Sequence, residues 1–357
     1  MGVKGISSFL KKEFPDLYLK VNIEDLAGYF IAIDALNIIH IFYATARKQA
    51  IAENKFTNEL GRVDIDPDRI MHHFYWRLIE FITIWLEHKI VPIFIFDGKK
   101  VIEKKDTSDK RKFEKEKTKE KIEVLVKELA EVSLLERDSK KIDELCSLES
   151  RIVSFPPNFV NEIKQFLKLI PVPFLTAEFE GEGLCCQLNK MGIVVGVYSS
   201  DTDCLAYGAE LMLNNIIYEY DEGKKSYFVT ALRYSDVLEK LSFNPNQLLD
   251  LMIMCGCDFN TNIPKIGPKR SFKIITDYGN IDNLKPLNLD LTPLNYERCR
   301  EIFTYCENVN NDLDKQLNFS LLTTEEGYES ALLFFQNYSC ESLLSKLAIS
   351  CSEFLDS

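Results

Sequence analysis

The chain has 357 residues, with 43 Lys and Arg against 55 Asp and Glu, so its formal net charge is −12 and its pI is near 5.1. A composition of 46% hydrophobic and 27% charged residues is that of a globular protein, which excludes a disordered chain. Acidity does not exclude a nucleic-acid partner, because binding depends on where charges lie rather than on their sum.

Targeting and zinc-binding signals are not found in the sequence. No apolar stretch approaches the roughly 18 residues of a membrane span, and the N-terminus lacks a secretory signal. The ten cysteines form no CxxC pair, and the four histidines lie in the first quarter of the chain. We therefore expect an intracellular protein without a membrane partner, located in the nucleus or at a cytoplasmic replication site.

Three apolar, β-branched runs each end on an aspartate, and we predict them as buried parallel strands: Tyr29–Asp34, Ile90–Asp97 and Gly192–Asp201. Helical patterns such as Pro67–His88 lie between them, which predicts an α/β fold with a mostly parallel central sheet. Ligands bind beyond the carboxyl ends of such strands, so three carboxylates are expected on one rim. Any one of these aspartates could instead be a turn or N-cap residue.

Further acidic residues adjoin this rim. Asp203 follows Asp201 by two residues, and Glu178 and Glu180 open the helix-like segment before the third strand. The two glutamates could instead complement a helix dipole.

A basic run follows the second strand. Residues 99–121 contain eleven Lys and Arg and six Asp and Glu, a local balance of +5. Such a run is usually a solvated helix face with i,i+4 ion pairs. Its position after Asp97 favours a second interpretation, a cationic arch that holds a polyanionic substrate near metal ions.

Helical patterns dominate after Tyr218, where the sheet pattern fades. The Gly267-Pro268 turn opens a helix with Lys269, Arg270 and Lys273 close behind, an arrangement suited to phosphate binding. Residues 305–357 carry a net charge of −7.

Seven dispersed carboxylates are candidate metal ligands: Asp34, Asp97, Glu178, Glu180, Asp201, Asp203 and Asp258. They can be buried together in the ionised state only if cations neutralise them. Oxygen ligands without His or Cys select Mg²⁺, with Mn²⁺ as a substitute. Two such ions about 3.5–4 Å apart form the clamp used for phosphodiester hydrolysis.

The ordered motifs MGVKGISSFL, FIAIDALN, VPIFIFDGK, AEFEGE, YSSDTDCLAYG and CGCDFNTNIPKIGPKRS resemble those of the structure-specific 5′ nucleases of the flap endonuclease superfamily, from residue 1 to about 283. The resemblance implies a PIN-like nuclease core, a helical arch and a helix-two-turn-helix. The expected segments are an N-terminal nuclease region (1–98), the basic arch (99–155), an internal nuclease region (156–234), the helix-two-turn-helix (235–283) and an acidic helical C-terminal region (284–357).

The resemblance also assigns roles by position. It implies that the seven carboxylates hold two metal ions and that Lys104 and Arg111 are the catalytic arch cations. Gly2 falls where the family has its processed N-terminus, and His40 where flap endonucleases have a base-stacking tyrosine and the exonuclease-one branch a histidine. The DNA-binding residues implied at the hairpin are Gly267, Lys269, Arg270 and Lys273.

The chain departs from the family in two places. Lys265 replaces a glycine of the hairpin, which predicts a reshaped turn; a K⁺ site there would use Asn262 and the carbonyls of Ile263 and Ile266. The usual sliding-clamp motif is absent from the sequence, as expected of a divergent, for instance viral, member.

The sequence thus predicts a monomeric, Mg²⁺-dependent 5′ endonuclease acting on DNA flaps, ends or junctions in replication, repair or recombination. A 5′→3′ exonuclease or a bubble or junction nuclease of the same family stays open, and His40 favours the exonuclease branch. A non-catalytic DNA-binding scaffold is a further alternative, which the complete acidic set disfavours.

Overall fold

A computed structural model describes residues 2–170, 172–221, 223–309 and 324–355. Within them one mixed sheet has seven strands: β1 (Leu19–Asn22), β2 (Phe30–Asp34), β3 (Val91–Phe96), β4 (Phe174–Thr176), β5 (Gly196–Tyr198), β6 (Leu211–Asp221) and β7 (Lys224–Arg233). The strand order is β1-β7-β6-β5-β2-β3-β4. The pairs β6–β5, β5–β2, β2–β3 and β3–β4 are parallel, and β7 is antiparallel to both β1 and β6.

The α-helices of the described residues are α1 (Ile6–Glu13), α2 (Ala35–Glu53), α3 (Pro67–Glu87), α4 (Lys105–Ala130), α5 (Ser139–Arg151), α6 (Phe159–Leu169), α7 (Gly181–Lys190), α8 (Asp203–Ala206), α9 (Tyr234–Leu241), α10 (Pro245–Cys255), α11 (Pro268–Tyr278), α12 (Tyr296–Thr304), α13 (Glu325–Asn337) and α14 (Glu341–Leu355). Among these residues, no helix combines the length and the apolar character that crossing a lipid bilayer requires.

The α/β prediction is confirmed, because the three aspartate-ending runs contain the parallel strands β2, β3 and β5. β3 is buried along its whole length, which explains its continuous apolar sequence. The prediction that the sheet pattern fades after Tyr218 was wrong, since β6 and β7 form a long antiparallel hairpin. The outer half of β6 is exposed, so its sequence lacks the apolar run by which the inner strands were recognised.

The chain folds into two compact units that interleave along the sequence. Unit 1 comprises residues 1–37, 88–107 and 172–316, and unit 2 comprises residues 38–87, 108–171 and 317–357. The five segments expected from the sequence do not coincide with these units, and their functional boundaries stay a prediction.

Unit 1 contains the sheet. α7 packs on β2, β3 and β5, and its buried side chains join α8 and α10 in one core. A capping box between Asn244 and Gln247 begins α10, and Gly256, with a φ of 87°, follows its last residue. This glycine turns the chain towards Asp258.

Unit 2 contains α4 and α5, so the basic run is helical as the sequence predicts. The C-terminal half of α4 packs through Ile122, Val126 and Leu129 on Leu145 of α5 and on Ile51 of α2. α3 and α14 pack against each other in the same unit. Among the described side chains of the basic N-terminal half of α4, residues 108–117, none contributes to this core.

A buried ion pair joins α10 to α12 in unit 1. The Asp250 carboxylate, 1% exposed, accepts hydrogen bonds from Arg300 Nε and Nη2 at 2.8 and 2.7 Å and from the Ile281 N–H at 2.9 Å. Arg300→Met leaves this carboxylate buried and unpaired, so we expect the free energy of unfolding to fall by about 3 kcal/mol in chemical denaturation.

Lys55→Met is the matched control. Lys55 pairs with Asp143 at 2.9 Å, but both side chains are more than half exposed, and this substitution should cost less than about 1 kcal/mol. Equal losses of unfolding free energy in the two variants would show that the buried Asp250–Arg300 pair contributes no more than an exposed one.

Candidate metal centre and nucleic-acid interface

The carboxyl ends of β2, β3 and β5 meet at one edge of the sheet. Asp34 is the last residue of β2, Asp97 follows β3 directly, and Asp201 lies three residues after β5. Repulsion from Asp97 and Asp201 contributes to raising the pKa of Asp34, which shows that the three carboxylates are close. The structure therefore brings together the three strand-end aspartates, as the sequence predicts.

A chain of hydrogen bonds orients these side chains. Ser199 Oγ donates to Asp34 Oδ2 at 3.2 Å and accepts from the Asp201 N–H at 3.0 Å. Asp201 Oδ1 in turn accepts from the Asp203 N–H at 3.2 Å. The Asn37 N–H donates to the other Asp34 oxygen at 3.2 Å. The backbone around the rim thus fixes which carboxylate oxygens face the cluster.

The start of α7 adds two glutamates. Glu180 is the N-cap residue and Glu182 lies in the first turn, with Gly181 between them. The Gly181 N–H donates to Asp97 Oδ1 at 2.7 Å, and a Cβ at this position would lie 2.9 Å from the same oxygen. Gly181 therefore permits the close approach of α7 to the rim.

Glu182 is a site residue that the sequence analysis missed. One carboxylate oxygen each from Glu182, Asp201 and Asp203 lies within 4.8 Å of the other two. Cys204 Sγ donates to Glu182 Oε1 at 3.0 Å and holds the side chain in place.

Glu178, by contrast, does not join the cluster. Its side chain is exposed and accepts a hydrogen bond from the Tyr305 hydroxyl at 2.8 Å. The run Glu178-Phe-Glu180-Gly-Glu182 allows two registers for a Glu-x-Glu pair, and the sequence analysis took the first. The structure corrects it: Glu178 lies in a bend before the helix, whereas the first turn of α7 places Glu182 next to Asp203.

Burial makes these acids hard to ionise without a cation. It raises the pKa of Asp34 to about 7, and nearby carboxylates add to the effect. Burial also raises the pKa of Glu182 and Asp203 well above their usual range. Burial is also the main cause that raises the pKa values of Asp201 and Glu180. A bound cation is what would keep the whole set ionised at neutral pH.

The donor set fits a divalent metal ion. Asp203 Oδ1 is buried without a hydrogen-bond partner in the described part of the chain, as expected of an oxygen that ligates metal. Asp258, in the loop after α10, contributes to raising the pKa of Asp201 and Asp203 and so lies close to both. Oxygen ligands of this kind favour Mg²⁺ or Mn²⁺.

Lys104 reaches the cluster from a short 3₁₀ turn, Ile102–Lys104. Its Nζ donates a hydrogen bond to Glu180 and lies 5.4 Å from the centre of the Phe259 ring. Burial works to lower the pKa of Lys104, but the neighbouring carboxylates, Glu180 first, outweigh it and raise the pKa. The structure thus places this predicted cation beside the carboxylate cluster.

Gly2 lies against the same site. A Cβ there would sit 1.6 Å from Asp201 Oδ1, and the φ of Gly2 is 85°, so both space and backbone conformation require glycine. The N-terminal segment lies beside the carboxylates in this geometry, as the family resemblance implies. The Lys4 N–H, bonded to the Gly256 carbonyl at 2.9 Å, holds the segment in place.

The basic hairpin lies between α10 and α11. Gly267 is the N-cap of α11, and the exposed cations of Lys269, Arg270 and Lys273 occupy the first two turns. Lys265 has a φ of 64°, the left-handed conformation that a glycine would adopt freely. The lysine thus takes a conformation that glycine adopts without steric cost, and the reshaped turn stays a prediction.

The predicted K⁺ site is not supported by the geometry. Asn262 Nδ2 donates to the carbonyls of Ile263 and Ile266 at 3.4 and 3.1 Å. A hydrogen-bond donor therefore occupies the position from which a cation would contact both oxygens.

His40 and Arg111 both lie in unit 2. The half-buried His40 ring packs edge to face on Phe155 with centroids 6.0 Å apart. Burial, and then the charges of Arg111 and Lys115, lower the pKa of His40. Arg111 is exposed on α4, and Lys115 Nζ donates to the Val153 carbonyl at 2.8 Å. His40 is thus a neutral ring beside two cations at neutral pH.

Comparison with known proteins places the chain in a family. The family model of the XPG N-terminal domain matches residues 1–118, and that of the XPG I-region matches residues 171–258, together more than half of the chain. The chain belongs to the XPG and flap endonuclease family. Flap endonuclease 1 of Cryptosporidium muris is 29% identical over 352 residues, covering 95% of this chain and 70% of the relative.

Solved structures of the XPG and flap endonuclease family share the fold. The flap endonuclease-1 of Methanococcus jannaschii has a TM-score of 0.62 at 24% identity and covers 96% of this chain and 99% of its own. The Holliday junction-resolving enzyme GEN1, in complex with product DNA and a Mg²⁺ ion, has a TM-score of 0.54 at 15% identity. The match covers 98% of this chain and 78% of the GEN1 chain.

Measurements of metal binding can decide whether Glu178 or Glu182 is the second glutamate ligand. Glu182→Gln removes a charge from the cluster and should weaken Mn²⁺ binding at least about tenfold, measured by titration with paramagnetic resonance of free Mn²⁺. Glu178→Gln, the matched control two residues before α7's N-cap, should change the affinity less than about twofold. The reverse order of effects would restore Glu178 as the ligand.

Proposed function

We propose that the protein is a divalent-metal-dependent, structure-specific 5′ nuclease that hydrolyses phosphodiester bonds at DNA flaps or junctions. The observation that carries the proposal is one cluster of seven carboxylates with a cation beside it: Asp34, Asp97, Glu180, Glu182, Asp201, Asp203 and Asp258, with Lys104. Family membership and the DNA complexes of related folds support it.

The seven carboxylates would hold two Mg²⁺ or Mn²⁺ ions, with some ligands shared. When bound, such a pair activates water and stabilises the leaving oxygen of an in-line displacement. Hydrogen bonds from Ser199, the Asn37 N–H and the Gly181 N–H hold Asp34 and Asp97 in fixed orientations at the rim. A prearranged site of this kind spends little energy on reorganisation during the reaction.

Lys104 would place its positive charge on the scissile phosphate. In this structure its ammonium is hydrogen-bonded to Glu180, a bond that it would exchange for a phosphate oxygen. Gly2, which contacts Asp201, would keep the substrate side of the cluster narrow. Together they would orient the phosphate rather than carry a proton.

Two basic surfaces would bind the DNA backbone. The hairpin surface comprises Gly267, Lys269, Arg270 and Lys273 at the start of α11, where N–H groups and the helix dipole favour phosphate. The arch surface is the basic half of α4, with Arg111 as the catalytic cation. We further propose a monomer that acts in the nucleus or at a cytoplasmic replication site.

His40 favours a second activity, 5′→3′ exonuclease cleavage. A neutral ring beside the cations of Arg111 and Lys115 suits stacking on a terminal base whose phosphate pairs with those cations.

A substrate panel tests the proposal. The purified protein should cut a labelled 5′-flap duplex near its junction with Mg²⁺ and not with EDTA, and Asp201→Ala should lower the rate about 10²–10³-fold or more. Parallel assays of nick, gap, bubble, four-way junction, single strand and RNA flap would show whether endonuclease or exonuclease cleavage is faster. Undiminished cutting by Asp201→Ala would refute the metal-dependent mechanism.

Arg111 gives a separate prediction. Arg111→Ala should lower the single-turnover rate about 10²-fold with little change in DNA affinity, because its charge acts on the phosphate in the transition state. Lys112→Ala, one residue along α4 and paired only loosely with Asp109 at 3.6 Å, is the control and should retain the rate. A defect in affinity alone would make Arg111 an ordinary surface charge.

A further inference from the structure

The segment that carries Lys104 lies along a cavity of unit 1. We name residues 98–104, between β3 and α4, the strap. Four consecutive residues of the strap, 100–103, line a cavity of about 420 Å³. Val101 packs on the core of unit 1, whereas the Ile102 side chain is 85% exposed. Side chains that border empty space have few packing partners, so polar contacts must fix much of the path of the strap.

Backbone hydrogen bonds hold the first end of the strap. The N–H groups of Gly98 and Lys99 donate to the carbonyls of Phe179 and Glu178, both at 2.8 Å. These bonds tie the strap to the residues that precede α7. That stretch is anchored in turn, because the Glu178 N–H donates to the Glu307 carboxylate. The first end of the strap is therefore fixed independently of Lys104.

An arginine of α12 holds the other end of the strap. Arg298 Nε donates to Glu103 Oε1 at 2.6 Å, and Arg298 Nη1 donates to Glu301 Oε2, one turn along α12, at 2.8 Å. The Glu103 side chain is 19% exposed, and the Arg298 guanidinium lowers its pKa, so it is ionised at neutral pH. Glu103 and Lys104 share one 3₁₀ turn, so this ion pair fixes the backbone from which the lysine side chain extends.

The Arg298–Glu103 pair matters more for the position of Lys104 than for the stability of the fold. The Arg298 side chain is 48% exposed, and ion pairs that are open to solvent contribute little to the free energy of unfolding. The Lys104 ammonium, hydrogen-bonded to Glu180, must reach a phosphate at the carboxylate cluster from a defined position. A displacement of about 1 Å at a reacting centre costs about 10²-fold in rate.

We propose that Arg298 is a positioning residue, which acts through Glu103 to hold the strap so that Lys104 faces the scissile phosphate. The proposal rests on the nuclease function and on the role proposed above for Lys104. Arg298 contacts neither metal nor DNA in this role. Its loss therefore lowers the rate of cleavage of bound DNA and leaves the affinity for DNA unchanged.

Single-turnover cleavage of a labelled 5′-flap duplex tests this in the active enzyme. Arg298→Met should lower the rate about tenfold, with the dissociation constant for the flap in Ca²⁺ unchanged within about twofold. Glu103→Ala should lower the rate equally and the double variant no further, because both substitutions remove the same pair. Arg298→Lys keeps the charge without the guanidinium geometry and should recover part of the rate. A wild-type rate for Arg298→Met, or a loss confined to DNA affinity, overturns the proposal.

Glu301→Gln is the matched control. It removes the other partner of Arg298 and leaves the bond to Glu103, so the cleavage rate should be retained. A loss equal to that of Arg298→Met would contradict the assignment to the Glu103 pair.

A Lys104→Met background distinguishes positioning from a general structural role. In this background Arg298→Met should change the remaining rate less than about twofold, because the group that Arg298 positions is gone. A further tenfold loss would show that Arg298 acts by a route other than Lys104 and would overturn the proposal.

Hydrogen exchange separates this proposal from the nuclease function, because it needs no cleavage. Arg298→Met should speed exchange of the Lys104 N–H, which donates to the Val101 carbonyl at 3.2 Å, and leave that of the Gly98 N–H unchanged. A faster Lys104 amide in a protein that never cuts the flap would refute the nuclease and keep the Arg298–Glu103 contact as the anchor of the strap. Unchanged exchange at Lys104 in an active nuclease would refute the anchor alone.

Discussion

The mutual repulsion of buried carboxylates is the constraint on which the site depends. Seven acidic side chains meet at one edge of the sheet, and burial together with repulsion raises the pKa of Asp34 to about 7 and those of Glu182 and Asp203 well above their usual range. The fold tolerates this because a short network of backbone and hydroxyl donors holds the rim in place. The cluster can therefore stay fully ionised in its buried position only if cations neutralise it.

Parallel strand order explains why distant segments of the chain supply one site. β5, β2 and β3 are neighbours in the sheet although long segments of sequence separate them, so their carboxyl ends coincide. Two glycines then allow close approach: Gly181 lets α7 reach Asp97, and Gly2 lets the N-terminal segment reach Asp201. The packing of unit 1 thus determines which charged side chains meet at the edge of its sheet.

The sequence predicted the strand-end aspartates because buried parallel strands have an unmistakable apolar pattern. It chose Glu178 and missed Glu182, since a Glu-x-Glu-x-Glu run is consistent with both registers until the first residue of α7 is known. The β6–β7 hairpin was missed because its exposed half carries no apolar run.

The net charge of −12 can now be interpreted from the positions of the individual charges. The carboxylate cluster would repel a phosphate that approached it without metal, whereas two divalent cations would offset more than half of its negative charge and give the phosphate a positive centre to bind. Metal and DNA should therefore bind with positive coupling, and by thermodynamic linkage each must strengthen the other equally. The basic surfaces at α4 and α11 lack that dependence, since their cations are present from the start. An acidic protein can thus hold DNA by its basic surfaces and admit the phosphate to the cluster only when the metals are in place.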